Sequence, residues 1–263
     1  MKLPANRFKQ ALAEGRQQIG LWNSLPGPMV AEVVASCGFD WVVIDTEHAV
    51  TDIPDTLGMM QAMAAWPVSV VVRPADNDTV LIKRCLDLGA QTLIIPYVQN
   101  ADEARAAVSA MRYAPRGVRG VAGVTRASGF GLVEGYAIRA EDELCLIVQI
   151  ETHEALGQIE AIAAVDGVDG LFIGPADLAA SMGHAGNLGH PDVVAAIEDG
   201  VRRIVAAGKP AGILTLSPEF ADTCIGWGTR FTAVGMDISL LAGAARALAQ
   251  RFRSGGGASG GDI

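Results

Sequence analysis

Short apolar runs recur along the chain with polar-faced stretches between them: IGLWN (19–23), WVVID (41–45), SVVVRP (69–74), TLIIPYV (92–98), LCLIVQIE (144–151), GLFIG (170–174), AGIL (211–214) and FTAVG (231–235). Each is rich in β-branched or aromatic residues and uninterrupted rather than alternating, the pattern of strands covered on both faces. The stretches between them have helical periodicity, among them MVAEVVASCG, DTLGMMQAMAAW, DTVLIKRCLDLG, ADEARAAVSAMR and HPDVVAAIEDGVRRIVAAG. Several stop at a glycine suited to a helix C-terminus. Strand and helix alternating eight times predict an α/β fold of the (β/α)8 TIM-barrel type. An open doubly wound sheet fits less well, since no GxGxxG follows the first run.

With half of its 263 residues hydrophobic, the chain fills one such barrel. A single domain is expected over 1–253, followed by a flexible tail, SGGGASGGDI, over 254–263. No apolar leader opens the sequence and no run approaches the ~20 apolar residues of a membrane span, which predicts a cytoplasmic protein with no membrane partner. A net charge of -9 opposes nucleic-acid binding and leaves small molecules as ligands. Cys37, Cys85, Cys145 and Cys224 stand singly, without the close pairs of a zinc knuckle or redox motif, and are expected to be buried free thiols. Residues 113–143 form one long connection rich in Gly and Arg, the mark of a functional or interface segment.

In a parallel barrel the C-terminal strand ends face the active site, and here those ends are charged. The second run ends in Asp45, followed by Glu47 and His48; the third holds Arg73; the fifth holds Gln149 and Glu151; the sixth leads into Gly174-Pro175-Ala176-Asp177. Glu151 and Asp177, on adjacent strand ends, suit a hard divalent cation (Mg2+, Mn2+ or Co2+) with positions open to water and a chelating oxo acid. Each alone reads equally well as a carboxylate bonded to backbone amides. The Gly174-Pro175 start of a helix leaves amides for a carboxylate ligand. Arg73 has the planar fork that grips a carboxylate or enolate oxygen, or salt-bridges a neighbouring acid. His48, three residues after Asp45, is placed for the carboxylate to fix its tautomer and leave the other nitrogen as a base. Trp22 is read as an aromatic wall for substrate or a cap on the core. His153 is expected to begin a helix. His184 and His190 fall in a loop over the mouth or at a partner, with a spacing unlike a zinc site.

The stretches GFDWVVIDTEHA (38–49), VVRP (71–74), VQIET (148–152) and GVDGLFIGPADLAASMG (167–183) occur in an order and at distances that closely resemble the 4-hydroxy-2-oxoheptanedioate / 2-dehydro-3-deoxyglucarate aldolase family of class II pyruvate (hydroxyketoacid) aldolases. The resemblance runs from about residue 6 to 252. It implies a lyase that reversibly cleaves 4-hydroxy-2-oxo acids to pyruvate, or a related 2-oxo acid, and an aldehyde, through an enolate stabilised by a divalent metal. It also implies Glu151 and Asp177 as metal ligands, Arg73 as the pyruvate-binding arginine and Asp45 with His48 as the acid–base dyad. Gln149, Gly174, Ala176 and Leu214 match positions lining the oxo-acid pocket. Family members are similar in forming hexamers, trimers of dimers that exchange a barrel helix. Two departures are His153, where relatives often carry Arg, and the segment TRASGFG (125–131). A metal-dependent oxaloacetate decarboxylase is the alternative enzyme, since it stabilises the same enolate. A barrel with a binding role alone fits worse, because so many charges at one mouth cost stability. Asp237 after the last run opposes a phosphosugar isomerase.

Overall fold

The computed structural model describes residues 1–254. Eight parallel strands close into one barrel in sequence order: β1 (Gln18–Asn23), β2 (Trp41–Asp45), β3 (Ser69–Arg73), β4 (Thr92–Ile95), β5 (Cys145–Ile150), β6 (Gly170–Ile173), β7 (Ala211–Leu214) and β8 (Thr229–Met236). All eight runs expected as strands are strands. The helices are α1 (Arg7–Ala13), α2 (Pro28–Ala35), α3 (Ile53–Met63), α4 (Thr79–Asp87), α5 (Ala101–Met111), α6 (Tyr136–Glu143), α7 (His153–Leu156), α8 (Ile159–Ala163), α9 (Pro175–Ser181), α10 (Pro191–Ala206), α11 (Pro218–Trp227) and α12 (Asp237–Ser254). The tail expected over 254–263 lies outside the described residues, apart from Ser254, which ends α12.

β4 is shorter than its apolar run. Pro96 has no N–H for the ladder, and Tyr97 turns to φ 54°, so the chain leaves the sheet after Ile95. The apolar residues form two shells. One lies between strands and helices; the other fills the barrel with Trp22, Trp41, Val43, Val71, Ile94, Ile147, Phe172 and Phe231. Helix α1, capped by the Asn6 side chain, plugs the N-terminal end: the Phe8 ring lies 5.5 Å from Trp41 and 5.7 Å from Phe231. Gly212 makes room for this plug, since a Cβ there would meet the Phe231 ring at 2.2 Å.

Three of the cysteines are buried as expected, but Cys37 is exposed, because it follows the end of α2 on the outer surface. The 113–143 connection holds α6 and a bridge between Tyr113 and Arg119. It packs on the N-terminal side of the barrel: Ala127 N–H donates to Asp87 O, and the Glu143 carboxylate accepts from Asn6 N–H. Helix α12 is different from the other long helices. Its Ile238, Leu240, Leu241, Leu248 and Phe252 are exposed, as are Met29 and Val33 on α2.

Candidate active site

The strand register sets Asp45 directly opposite Arg73. Arg73 donates from Nε to Asp45 Oδ1 at 2.9 Å and from Nη2 to Oδ2 at 2.7 Å, a bidentate pair in the barrel interior. Trp22 Nε1 donates to the same carboxylate at 3.2 Å, and the guanidinium stands 5.0 Å from the Trp22 ring centre. Trp22 is only 1% exposed and packs on Phe172, so the expectation of a substrate wall is corrected. It forms the floor beneath Arg73, because its β1 position turns the ring into the core and its N–H finds the buried acid. Burial raises the Asp45 pKa, but the Arg73 bonds and charge, with the Glu47 amide and Trp22, outweigh it and leave it below the usual carboxylate value.

Asp45 Oδ1 also accepts the backbone N–H of Glu47 at 3.0 Å and of His48 at 3.4 Å. The contact expected between the Asp45 carboxylate and the His48 imidazole is not made: the carboxylate meets only the His48 backbone N–H. Both oxygens are taken up by Arg73, and the imidazole, 65% exposed at the mouth, faces Glu47, with Nε2 3.7 Å from Oε1. Glu47 also reaches inward: Oε2 lies 2.7 Å from Arg73 Nη1, buried but without an aligned hydrogen bond. Burial pushes the Glu47 carboxyl up, and the nearby Arg73 only partly offsets this.

On the opposite side, Glu151 is buried at the end of β5. Its Oε1 accepts the Tyr97 amide at 2.6 Å, and its Oε2 accepts Gln149 Nε2 at 3.2 Å. The left-handed backbone of Tyr97, uncommon for a residue with a side chain, belongs to the turn that aims this amide. Gln149 bridges the site, with Oε1 3.4 Å from Arg73 Nη1. Burial pushes Glu151 up to about 7; the Tyr97 amide lowers it, while Glu47 and Asp177 add negative charge that raises it. Gly174 begins α9 with no side-chain cap, and a Cβ there would meet Glu151 Oε2 at 2.4 Å. Ala176 and Asp177 follow, exposed in the first turn of α9, and half-buried Leu214 ends β7 nearby.

The strand ends thus carry Asp45, Glu47, His48, Arg73, Gln149, Glu151 and Asp177 to one mouth. Glu47 was visible in the run DTEH between two residues singled out for chemistry, and it links them in space; the Tyr97 amide had only the Pro96 break as its signal. His153 begins α7, where its N–H donates to Ser181 Oγ. Lysines lie elsewhere: Lys9 and Lys209 donate to Leu144 O and Val168 O on the N-terminal side, and Lys83 sits on α4 against Gly120.

A closed barrel with a guanidinium and several acids at its C-terminal mouth defines an enzyme of the TIM-barrel class. Residues 18–244 match the HpcH/HpaI aldolase/citrate lyase family model, and the chain belongs to that family. It is 62% identical to a pyruvate aldolase of Rhizobium etli over 96% of this chain and 99% of that protein. It is 53% identical to a 4-hydroxy-2-oxo-heptane-1,7-dioate aldolase of Klebsiella pneumoniae, over 94% of each chain. Among solved structures, an HpcH/HpaI family protein of Burkholderia cenocepacia superposes with a TM-score of 0.91 at 39% identity, covering 95% of this chain and 100% of that one. The protein is a carbon–carbon lyase of the aldolase type. Among the described residues, no helix is long and apolar enough to cross a membrane.

Proposed function

We propose that the chain is a class II aldolase that reversibly cleaves 4-hydroxy-2-oxo acids to pyruvate, or a related 2-oxo acid, and an aldehyde, with Mg2+, Mn2+ or Co2+ held by Glu151 and Asp177. The observation that carries the reading is a deficit of positive charge at the mouth. Arg73 is already paired to Asp45 while Glu47, Glu151 and Asp177 share one space, with Glu151 pushed up to about 7 and Glu47 Oε2 buried without an aligned donor. Oxygen donors of this kind fit a hard divalent cation, and two protein carboxylates leave positions for water and a chelating oxo acid. The names of the Rhizobium and Klebsiella relatives support the same chemistry.

When bound, the cation supplies Lewis-acid stabilisation of charge that develops on the keto oxygen. The chain's own residues do the rest. Arg73, anchored by Asp45, presents its remaining donors to the oxo-acid oxygens. Gln149 links Arg73 to Glu151 through its amide, and the uncapped first turn of α9, at Gly174 and Ala176, receives the substrate carboxylate. His48 takes the 4-hydroxyl proton as the C3–C4 bond breaks, with Glu47 beside it to stabilise the imidazolium, and that proton is then passed to C3 of the enolate, which regenerates neutral His48 and releases pyruvate. Leu214 borders the pocket. Asp45 positions Arg73 and the turn that carries His48.

The test is activity with pyruvate and a panel of aldehydes after chelation. Activity is expected to vanish and to return with Mg2+, Mn2+ or Co2+. His48→Ala is expected to depress cleavage while leaving Mn2+ affinity unchanged. Full activity in excess chelator overturns the metal assignment. Oxaloacetate decarboxylation without aldehyde-dependent exchange of the pyruvate methyl protons would favour the decarboxylase instead.

The exposed apolar residues of α12 and α2 support an assembly in which α12 packs on a partner's barrel, in a homo-hexamer built as a trimer of dimers. Leu241→Glu with Leu248→Glu is expected to give a smaller species in light scattering. An unchanged mass would show that α12 is not an exchanged element.

A further inference from the structure

The loop between α9 and α10 carries a cluster that the aldolase chemistry does not use. His184, His190 and Asp192 each offer a ligand atom, and these atoms all lie within 4.8 Å of one another. The two histidines have five residues between them and no paired cysteines nearby, and that spacing alone gave no reason to join them. The loop's backbone does so. His184 N–H donates to Ala179 O at the end of α9, Asn187 N–H to His184 O, and His190 N–H to Asn187 O. The chain is thereby folded back until the two imidazoles stack, with ring centres 3.6 Å apart at 16°. Asp192, in the first turn of α10, completes the group: its Oδ2 is 3.9 Å from His184 Nε2 and 3.7 Å from His190 Nδ1.

We propose that His184, His190 and Asp192 form a second metal site, for a borderline divalent ion such as Zn2+ or Ni2+, separate from the oxygen-lined mouth. Two imidazole nitrogens and one carboxylate are the donor set that such ions take, with remaining positions filled by water. Bonds of about 2.0–2.1 Å place tetrahedral donors about 3.4 Å apart. The nitrogen–oxygen separations of 3.9 and 3.7 Å therefore need to contract by about 0.5 and about 0.3 Å. Two changes accompany binding. The rings must tilt out of their stack, because parallel stacked planes do not share a point along both nitrogen lone pairs. The Asp192 amide, which donates to His190 Nδ1 at 3.2 Å, must yield if that nitrogen is the ligand. An ion held here clamps the loop onto the start of α10, and through α9 it steadies the element that carries Asp177.

Isothermal titration of the intact, metal-stripped protein with Ni2+ tests the site. Wild type is expected to bind two Ni2+ per chain, and His184→Asn one. His190→Asn keeps an N-cap side chain on α10, so it removes the ligand without removing the cap, and is also expected to bind one. Asp177→Asn is expected to lose the other equivalent, and the double variant Asp177→Asn/His184→Asn to lose both. Two equivalents retained in both histidine variants overturn the proposal, and so does a single wild-type equivalent abolished by Asp177→Asn. If Asp177→Asn keeps both equivalents while the histidine variants lose one, the loop site stands and the placement of the metal at the mouth fails.

Discussion

Arg73→Lys is expected to lower kcat/KM by about 10²–10³-fold, the loss seen when one donor to a developing oxyanion is removed. The guanidinium does three things that an ammonium does not do together. It forks onto both oxygens of Asp45, reaches Glu47 and Gln149 from Nη1, and lies over the Trp22 ring. A lysine at this position keeps one point charge near Asp45 but loses the planar contact that aims free donors at the substrate. The fold should survive, because the charge beside Asp45 remains. Arg73→Ala goes further: Asp45 keeps only the Trp22 and backbone donors, and breaking a buried pair on one side costs on the order of 3–5 kcal/mol. Steady-state kinetics on Arg73→Lys, with thermal unfolding on both variants, separate the two effects. Wild-type kcat/KM in Arg73→Lys would show that the arginine only holds Asp45.

The barrel was legible because its strands are buried on both faces and read as unbroken apolar runs, which no loop or surface helix imitates here. Strand-end position then did for the site what no motif did alone: Asp45, Arg73, Glu151 and Asp177 sit at one mouth because parallel strands all end on the same side. What sequence did not carry was direction within that mouth. Asp45 and His48 are three residues apart, yet the carboxylate turns inward to Arg73 and the imidazole outward to Glu47, because β2 ends between them and the turn is held by amide bonds to Asp45. Trp22 was placed on the right strand end, but whether its ring faced substrate or core depended on Phe172 across the barrel. The joining of His184 with His190 rests on loop backbone bonds, which leave no periodic trace.

Glu151→Gln is expected to stabilise the metal-free protein at alkaline pH while abolishing its response to metal. Glu151 has a folded pKa of about 7 against an ordinary value of 4.5, so in the folded protein it keeps its proton over a range where the unfolded chain has released it. Its contribution is fully present below about pH 4.5, is lost as pH rises toward 7, and is gone above that. The ceiling on that loss is about 3 kcal/mol at roughly 1.36 kcal/mol per pKa unit. For a domain of this size that is ~6–12 °C in Tm. In chelator, wild type and Glu151→Gln should therefore unfold at similar temperatures near pH 4.5, with the variant pulling ahead as pH rises through 7. Gln keeps the carbonyl oxygen that accepts the Tyr97 amide but loses the acceptor for Gln149 Nε2, an offset common to every pH, so the change of the difference with pH is what reports the charge. Addition of Mn2+ at pH 8 should reverse the order, because the cation rewards the ionised carboxylate and does nothing for the amide. Parallel melting curves at every pH in chelator would mean that Glu151 is not held uncompensated at the mouth. An equal rise in Tm with Mn2+ in both proteins would mean that the cation binds without it.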